Sequence, residues 1–142
     1  PGQSSPRAAV APNPADYNIL PELFGKDPMG PAVRQDDAQW RDIVQWTVFT
    51  LFQAEESGIT SKNIDEMKAS STDPIVRRLL GVEDAGSKGL GLNPAWAYNV
   101  VKQVGNYGEV FERNVGMGSP LKLERGLNAQ YTDGGLIYAP PL

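Results

Sequence analysis

Residues 36–59 read DDAQWRDIVQWTVFTLFQAEESGI and carry the clearest periodic pattern of the chain. Mostly apolar side chains recur there at the i, i+3/i+4 and i+7/i+8 spacing of one helix face. The members of this stripe are Trp40, Ile43, Val44, Thr47, Val48, Leu51 and Phe52. Trp46 and Phe49 widen the stripe beyond a narrow seam. The sequence therefore predicts a largely buried helix of about six turns, against which the rest of the chain packs.

Both ends of this helix have recognisable stop signals. Asp36 and Gln39 have the D-x-x-Q spacing of a capping box, in which each side chain satisfies a free backbone amide. Gly58 followed by Ile59 is typical of a left-handed glycine stop with its hydrophobic partner. We expect the helix to begin at Asp36 and to end before Gly58.

Short β-like runs precede the helix. Residues 1–14 are rich in Pro, Ala and Ser and show no period, so we expect them to be flexible. Tyr17–Leu20 and Ala32–Arg34 are strand candidates, each bounded by proline. Strands this short need partners, and the chain offers few.

A series of short helices is expected after the central one. Ser61 is a candidate cap for a helix over 63–68 that turns Ile64 and Met67 inward. Asp73-Pro74 and Asn93-Pro94 each combine an N-cap with a proline at the first helical position. The second of these opens a helix whose predicted buried face is formed by Trp96, Val100, Val101 and Val104.

The remaining chain is expected to form one more turn of helix and a wrapping tail. Asn106 restarts a helical pattern with Tyr107, Val110 and Phe111, ending near Gly116. From Ser119 onward glycine and proline break the pattern. The apolar residues of this tail are expected to lie individually on the core; they are Leu121, Leu123, Leu127, Tyr131, Leu136, Ile137 and Tyr138.

Composition excludes several classes of function. The 142 residues suit one domain, and 13 basic against 17 acidic residues give a net charge of −4. Nucleic acid is therefore not an expected partner, because phosphate binding needs clustered Lys and Arg. The absence of Cys and His excludes disulfides, metal sites built on those residues, and imidazole or thiolate catalysis.

No apolar run approaches the length that spans a bilayer. The chain opens on Pro1 rather than Met and shows no signal peptide. We expect that a targeting segment has been removed or that the chain is part of something longer.

Three local patterns could carry chemistry, and each has a simpler interpretation. The glycine-rich stretch 84–91 lacks the G-x-x-x-x-G-K-[ST] order of a phosphate loop and is expected to be an exposed turn. Acidic pairs suited to glycoside hydrolysis are expected to be solvated helix residues; they are Glu55 with Glu56, Asp65 with Glu66, and Glu109 with Glu112. Arg34 could face a carboxylate ligand, although a surface or hinge salt bridge is the simpler role.

Taken in order, several stretches resemble the solute-binding proteins of amino-acid ABC transporters, in particular the general L-amino-acid-binding subfamily. They are 13–22 (NPADYNILPE), 28–37 (PMGPAVRQDD) leading into Trp40, 54–59 (AEESGI), 78–81 (RLLG), 89–92 (GLGL), 105–116 (GNYGEVFERNVG), 125–128 (RGLN) and 134–141 (GGLIYAPP). Each stretch alone is weak, but the series runs through almost the whole chain.

The resemblance implies an α/β fragment of a type II periplasmic-binding-protein fold, mostly helical as it stands, with a few short β-strands. Residues 1–27 correspond to the end of the second lobe, 28–34 to the return hinge, and 35–142 to the C-terminal helices and wrapping tail of the first lobe. It further implies a periplasmic location, an L-amino-acid ligand, transporter membrane subunits as partners, no cofactor and no enzymatic activity.

The resemblance also suggests ligand residues. The family's acidic contact for the ligand ammonium belongs to a pattern like T-D-R-S-x-L-A-A. Aligning that pattern on Ala8-Ala9 places Gln3 at the acidic position and Ser5 at the serine, with Arg34 as the candidate for the ligand carboxylate. An amide does not neutralise an ammonium as a carboxylate does, so the resemblance predicts a truncated binding protein without a complete ligand cleft. The alternative is a structural or interaction module that forms a homo-oligomer through the exposed lobe surface.

Overall fold

The computed structural model describes residues 12–17, 25, 29–84 and 86–140. Six α-helices lie within this part of the chain: α1 at Ala38–Glu56, α2 at Ile64–Ser70, α3 at Pro74–Leu79, α4 at Ser87–Leu90, α5 at Trp96–Val104 and α6 at Tyr107–Asn114. Short 3-10 turns occupy Pro14–Asp16, Gly126–Asn128 and Tyr131–Asp133. The predicted helical character is confirmed.

The predicted short strands are not seen in the described residues. Their only β-pairing is an isolated parallel bridge between Gln130 and Ile137. Ala32–Arg34 forms no ladder, and Tyr17 lies outside any strand, while residues 18–20 are outside the described part. A strand needs a neighbour to hydrogen-bond with, and the described chain supplies none at these positions.

The beginning of α1 differs from the expected capping box by one residue. Asp37, not Asp36, is the N-cap, and its carboxylate accepts a hydrogen bond from the Trp40 amide at 2.9 Å. Gln39 does not close a box; its amide donates instead to the Leu90 carbonyl at 3.3 Å. With two consecutive aspartates, the sequence pattern alone could not decide which of them would stand at the cap.

Replacing Asp37 by Ala is expected to lower the free energy of unfolding by about 1 kcal/mol, because the first turn of α1 loses its side-chain acceptor. Asp36 is exposed and does not accept this bond. The matched control Asp36→Ala should therefore cost less than about 0.5 kcal/mol. Urea unfolding of both variants measures the difference, and a larger loss at Asp36 would contradict the assignment of the cap.

The C-terminal end of α1 confirms the predicted glycine stop. Gly58 has φ 66°, a left-handed conformation that L side chains rarely adopt. Its amide donates to the Glu55 carbonyl, and the Ile59 amide donates to the Ala54 carbonyl at 2.8 Å. These two bonds form a Schellman motif, and fully buried Ile59 anchors it in the core.

The core forms where the second half of α1 meets the short helices. Its buried members are Ala54, Ile59, Ile64, Val76, Leu79, Leu80, Leu90, Trp96, Ala97 and Val101. α1 packs against α3, α4, α5 and α6, while α2 packs against α3 and α5. Ile64 and Met67 lie against this core as predicted.

The first half of α1 does not share that burial, so the expectation of a largely buried helix is wrong there. Trp40 is 52 % exposed, and the buried residues of α1 are confined to Thr50, Gln53 and Ala54. Helical spacing shows which side chains share a face, but not whether a partner covers that face. The apolar stripe from Trp40 to Phe49 is thus only partly covered: Trp40 is exposed, whereas Ile43 and Trp46 pack against the core.

The short helices have four to nine residues each and are closed by local signals. Asp73 caps α3 through the Ile75 amide with Pro74 at the first helical position, as predicted. The predicted Asn93-Pro94 start of α5 is wrong by two residues: Ala95 is at the N-cap, and Asn93 accepts a hydrogen bond from the Ala95 amide in the turn before the helix. Asn106 and Glu109 form a reciprocal capping box at α6. Val104, in the last turn of α5, was expected to be buried but is 40 % exposed.

The tail wraps less closely than expected. Four of its apolar residues are exposed, contrary to prediction; they are Leu127, Tyr131, Leu136 and Tyr138. Leu121, Leu123 and Ile137 are partly buried. The tail also folds on itself through backbone hydrogen bonds, in which the Leu136 amide donates to the Leu127 carbonyl and the Ile137 amide donates to the Ala129 carbonyl. Its backbone folds back so closely that a Cβ at Gly135 would collide with the Ala129 carbonyl oxygen.

Candidate functional site

The predicted ligand residues are not brought together in the described part of the chain. Gln3 and Ser5 lie outside the described residues. Arg34 is exposed in the segment before α1, where its carbonyl accepts a 3.4 Å hydrogen bond from the Asp37 amide. Their role in ligand binding stays a prediction.

An open apolar groove runs beside the first half of α1, with a volume of about 270 Å³. It is lined by Pro31, Val33, Arg41, Val44, Gln45, Val48 and Phe49. This volume lies just below the roughly 300–1,000 Å³ that is typical of small-molecule pockets. The sequence signal for the groove is the apolar stripe of α1, which by itself predicts core packing rather than an open groove.

Arg41 is the basic side chain of this groove, and it is engaged by its neighbour. Its guanidinium donates to the Asp42 carboxylate at 2.9 and 3.1 Å. Both side chains are well exposed, so this ion pair contributes little to stability. The groove therefore offers apolar contacts with one charged edge.

A second cavity of about 320 Å³ lies at the end of α1. It is lined by Glu56, Tyr131, Tyr138 and Ala139. These residues supply a carboxylate and two aromatic rings but no basic group. Such a lining could oppose the ammonium end of an amino acid but gives its carboxylate end no charged partner.

Glu55 is committed to an internal ion pair. Its two carboxylate oxygens accept hydrogen bonds from Arg125 at 2.7 and 3.1 Å, a bidentate arrangement. Gln130 donates to the same carboxylate and to the Phe52 carbonyl, both at 3.2 Å. The Arg125 guanidinium also lies 5.3 and 5.2 Å from the ring centres of Tyr107 and Phe111. This cluster joins the tail to α1 and α6.

Glu109 joins α6 to the chain before α2. It accepts hydrogen bonds from the Ser61 hydroxyl at 2.7 Å, from the Ser61 amide at 2.9 Å and from the Asn106 amide at 2.9 Å. Burial raises the pKa of Glu109, but these hydrogen bonds more than offset burial, so its pKa lies below the ordinary value. Ser61 was expected to cap α2; it binds Glu109 instead, and Asn63 is the residue at the N-cap.

The expectation that the acidic pairs are solvated is therefore wrong for Glu55 and Glu109, whereas Glu56, Asp65 and Glu66 are exposed as expected. Asp65 accepts hydrogen bonds from the Lys102 ammonium and the Tyr98 hydroxyl, each at 2.6 Å. These contacts lower the pKa of Asp65, and the hydrogen bond from Lys102 contributes most. Glu112 accepts from the Met117 amide at 3.0 Å. None of these arrangements pairs an acid with a base across a cavity, as glycoside hydrolysis requires.

The glycine-rich stretch forms a one-turn helix rather than a simple exposed turn. Asp84 accepts hydrogen bonds from both the amide and the hydroxyl of Ser87, which is buried at the start of α4. Lys88 is exposed. The described residues contain neither a cluster of metal-ligating side chains nor a helix that is long and apolar enough to cross a membrane.

The chain is similar over most of its length to known amino-acid-binding proteins. It is 58 % identical over 132 residues to the general L-amino acid-binding periplasmic protein AapJ of Rhizobium johnstonii. The match covers 92 % of this chain and 38 % of AapJ. The chain is homologous to the C-terminal portion of amino-acid ABC-transporter binding proteins.

Two further proteins of this kind are similar to almost the whole chain. The glutamate/glutamine/aspartate/asparagine-binding protein BztA of Rhodobacter capsulatus is 51 % identical over 140 residues, which is 99 % of this chain and 41 % of BztA. A solved Brucella ovis ABC transporter/periplasmic binding protein with glutathione bound matches with a TM-score of 0.86 and 51 % identity. That match covers 94 % of this chain and 42 % of the Brucella chain. No family model matches the sequence.

The resemblance expected from the sequence is thus confirmed, as is the fold class. The chain spans about two-fifths of the length of its curated relatives, between 38 and 41 %. These relatives are solute-binding transport proteins rather than enzymes.

Proposed function

We propose that the chain works in amino-acid uptake, as part of the solute-binding component of an ABC transport system. The identity of 51–58 % to binding proteins, extending over 92–99 % of the chain, carries this proposal. We assign residues 1–27 to the end of the second lobe, 28–34 to the return hinge, and 35–142 to the C-terminal helices and tail of the first lobe. The expected setting is the periplasm, with an L-amino acid as ligand and transporter membrane subunits as partners.

We further propose that the 142 residues alone lack a complete ligand cleft. A zwitterion needs a cationic and an anionic partner that are held in place before the ligand arrives. Arg34 is exposed, and Gln3 would offer the ammonium an amide, which leaves most of its desolvation cost unopposed. The groove beside α1 is apolar, and the second cavity has no basic lining residue.

The chain alone is therefore expected not to bind free amino acids at micromolar concentration. Chemical-shift perturbation with L-arginine, L-glutamate and L-leucine in turn measures this, with AapJ of Rhizobium johnstonii as the positive control. Saturable chemical-shift changes around Arg34 at micromolar ligand would contradict this expectation, because they would show that the 142 residues suffice for binding. Shifts that grow linearly into the millimolar range would support an incomplete site.

A structural or interaction module that forms a homo-oligomer is the second candidate. Exposed Trp40 and the open apolar groove beside the first half of α1 favour it, because exposed apolar surface promotes association. Sedimentation velocity separates the two functions. A stable oligomer that persists on dilution to low micromolar concentration would favour the interaction module, and a monomer would favour the transport component.

A further inference from the structure

The second cavity, at the end of α1, combines one carboxylate with two aromatic rings. It is lined by Glu56, Tyr131, Tyr138 and Ala139, none of which is basic. Its volume of about 320 Å³ is within the range of small-molecule pockets, roughly 300–1,000 Å³. A carboxylate and the faces of aromatic rings both attract positive charge. The lining therefore favours a cation.

The charge of Glu56 is not balanced within the described part of the chain. Its neighbour Glu55 accepts hydrogen bonds from Arg125 at 2.7 and 3.1 Å, whereas no hydrogen bond or ion pair engages the Glu56 carboxylate there. The last turn of α1 also lacks a basic residue. Because the C-terminal end of a helix carries partial negative charge, a free carboxylate at this end is unfavourable and a bound cation stabilises it.

The backbone of the tail places the two tyrosine rings on one side. Gln130 and Ile137 form the parallel bridge, in which the Tyr131 amide donates to the Ile137 carbonyl at 2.9 Å. Successive side chains of an extended chain point to opposite faces, so Tyr131 and Tyr138, each one position past a bridged residue, share a face. Gln130 is 3 % exposed, whereas the two tyrosines are 55 % and 67 % exposed. The face that they share is therefore the outer one, and both rings have surface left for a ligand.

The same segment is fastened to α1 beside Glu56. The side-chain amide of Gln130 donates to the Phe52 carbonyl and to the Glu55 carboxylate, both at 3.2 Å. These bonds hold the bridged segment at the end of α1 before a ligand arrives. A lining that is fixed in advance lowers the entropy cost of binding.

We propose that this cavity binds an organic ammonium ion that carries no carboxylate of its own. The ammonium group lies against the Glu56 carboxylate and the ring faces of Tyr131 and Tyr138. This site goes beyond the proposed transport function and does not depend on it, because α1 and the tail alone supply its lining.

Other ligands fit the cavity less well. An anion, or the carboxylate of a free amino acid, is repelled by Glu56 and finds no basic lining residue. A divalent metal ion needs several oxygen ligands, and the described residues contain no cluster of metal-ligating side chains. A neutral apolar ligand leaves the Glu56 charge unbalanced.

Ligand-observed NMR of the 142-residue chain with choline chloride, at constant ionic strength, tests the proposal. We expect the choline methyl signal to shift upfield and to saturate at millimolar concentration, because the methyl groups lie over the tyrosine ring faces. Glycine betaine is the matched control, since it has the same trimethylammonium group together with a carboxylate. It is expected to bind at least about threefold more weakly because its carboxylate is repelled by Glu56.

Charge and ring variants separate the two kinds of contact. Glu56→Gln should weaken choline binding about three- to fivefold, as should Tyr138→Leu, which removes a ring. The matched controls are Glu66→Gln, at an exposed glutamate of α2 that does not line the cavity, and Tyr138→Phe, which keeps the ring. Both controls should bind choline as the unchanged chain does.

Four results would overturn the proposal. They are a choline signal that does not saturate, equal affinity for choline and betaine, equal effects of Glu56→Gln and Glu66→Gln, and equal losses in Tyr138→Phe and Tyr138→Leu. Nα-acetyl-L-lysine amide, which presents a lysine side chain, distinguishes a protein partner from a free ligand. Saturable binding of this amide without binding of choline would assign the cavity to a partner's lysine and overturn the proposal as well.

Discussion

Replacing Trp96 by alanine is expected to lower the free energy of unfolding by about 3–5 kcal/mol, whereas Trp40→Ala should cost about 1 kcal/mol or less. The two substitutions remove the same side chain from different surroundings. Trp96 begins α5 and is 5 % exposed within the core, while Trp40 in the first turn of α1 is 52 % exposed. Urea unfolding of the two variants measures the difference. Equal losses would contradict the exposed position of Trp40.

A conservative variant separates packing from polar contacts at Trp96. Its indole nitrogen is buried without a hydrogen-bond partner among the described residues. Trp96→Phe keeps an aromatic ring and removes that unpaired group, so it is expected to recover most of the stability lost in Trp96→Ala. A loss as large as that of Trp96→Ala would show that the N–H group, rather than the ring, matters.

Replacing Arg125 by alanine is expected to cost about 2–3 kcal/mol, because it leaves the half-buried Glu55 carboxylate without its charged partner. The side chains of the pair are 21 % and 17 % exposed. The matched control is Arg41→Ala, which breaks an ion pair to Asp42 with side chains 62 % and 45 % exposed. That control should cost no more than about 1 kcal/mol. Thermal unfolding of both variants provides the comparison.

A double variant tests whether Glu55 and Arg125 act together. The double variant Glu55→Leu/Arg125→Leu removes both charges. Its free energy of unfolding should therefore fall by less than the sum of the decreases in the two single leucine variants. Simple additivity would mean that the two residues stabilise the protein independently.

In limited proteolysis, the tail of Arg125→Ala should be cleaved faster than the tail of the control Arg41→Ala, since Arg125 also donates to the Asn128 carbonyl within the tail.

The features that the sequence predicted correctly are local ones. The Gly58 stop, the Asp73-Pro74 start of α3 and the restart at Asn106 each depend on residues within about five positions. Backbone conformation and capping chemistry determine such features, whatever surrounds them. The one-residue error at Asp36 and Asp37 arose because two adjacent residues have the same capping chemistry.

The features that the sequence missed depend on distant residues. Burial of the α1 stripe requires a partner, and a periodic pattern contains no information about one. The contacts of Arg125 with Glu55 and of Ser61 with Glu109 join residues 70 and 48 positions apart, with no spacing rule to predict them. The ligand residues Gln3, Ser5 and Arg34 were suggested by resemblance alone and stay a prediction.

The shortness of α2 to α6 has a consequence for motion. Helices of four to nine residues are well below the roughly 12–15 residues at which isolated helices become even marginally stable in water. None of them has reason to persist once its neighbours separate. Their amide protons should therefore exchange with deuterium in one concerted opening, while those in the first turns of α1 exchange earlier by local fraying.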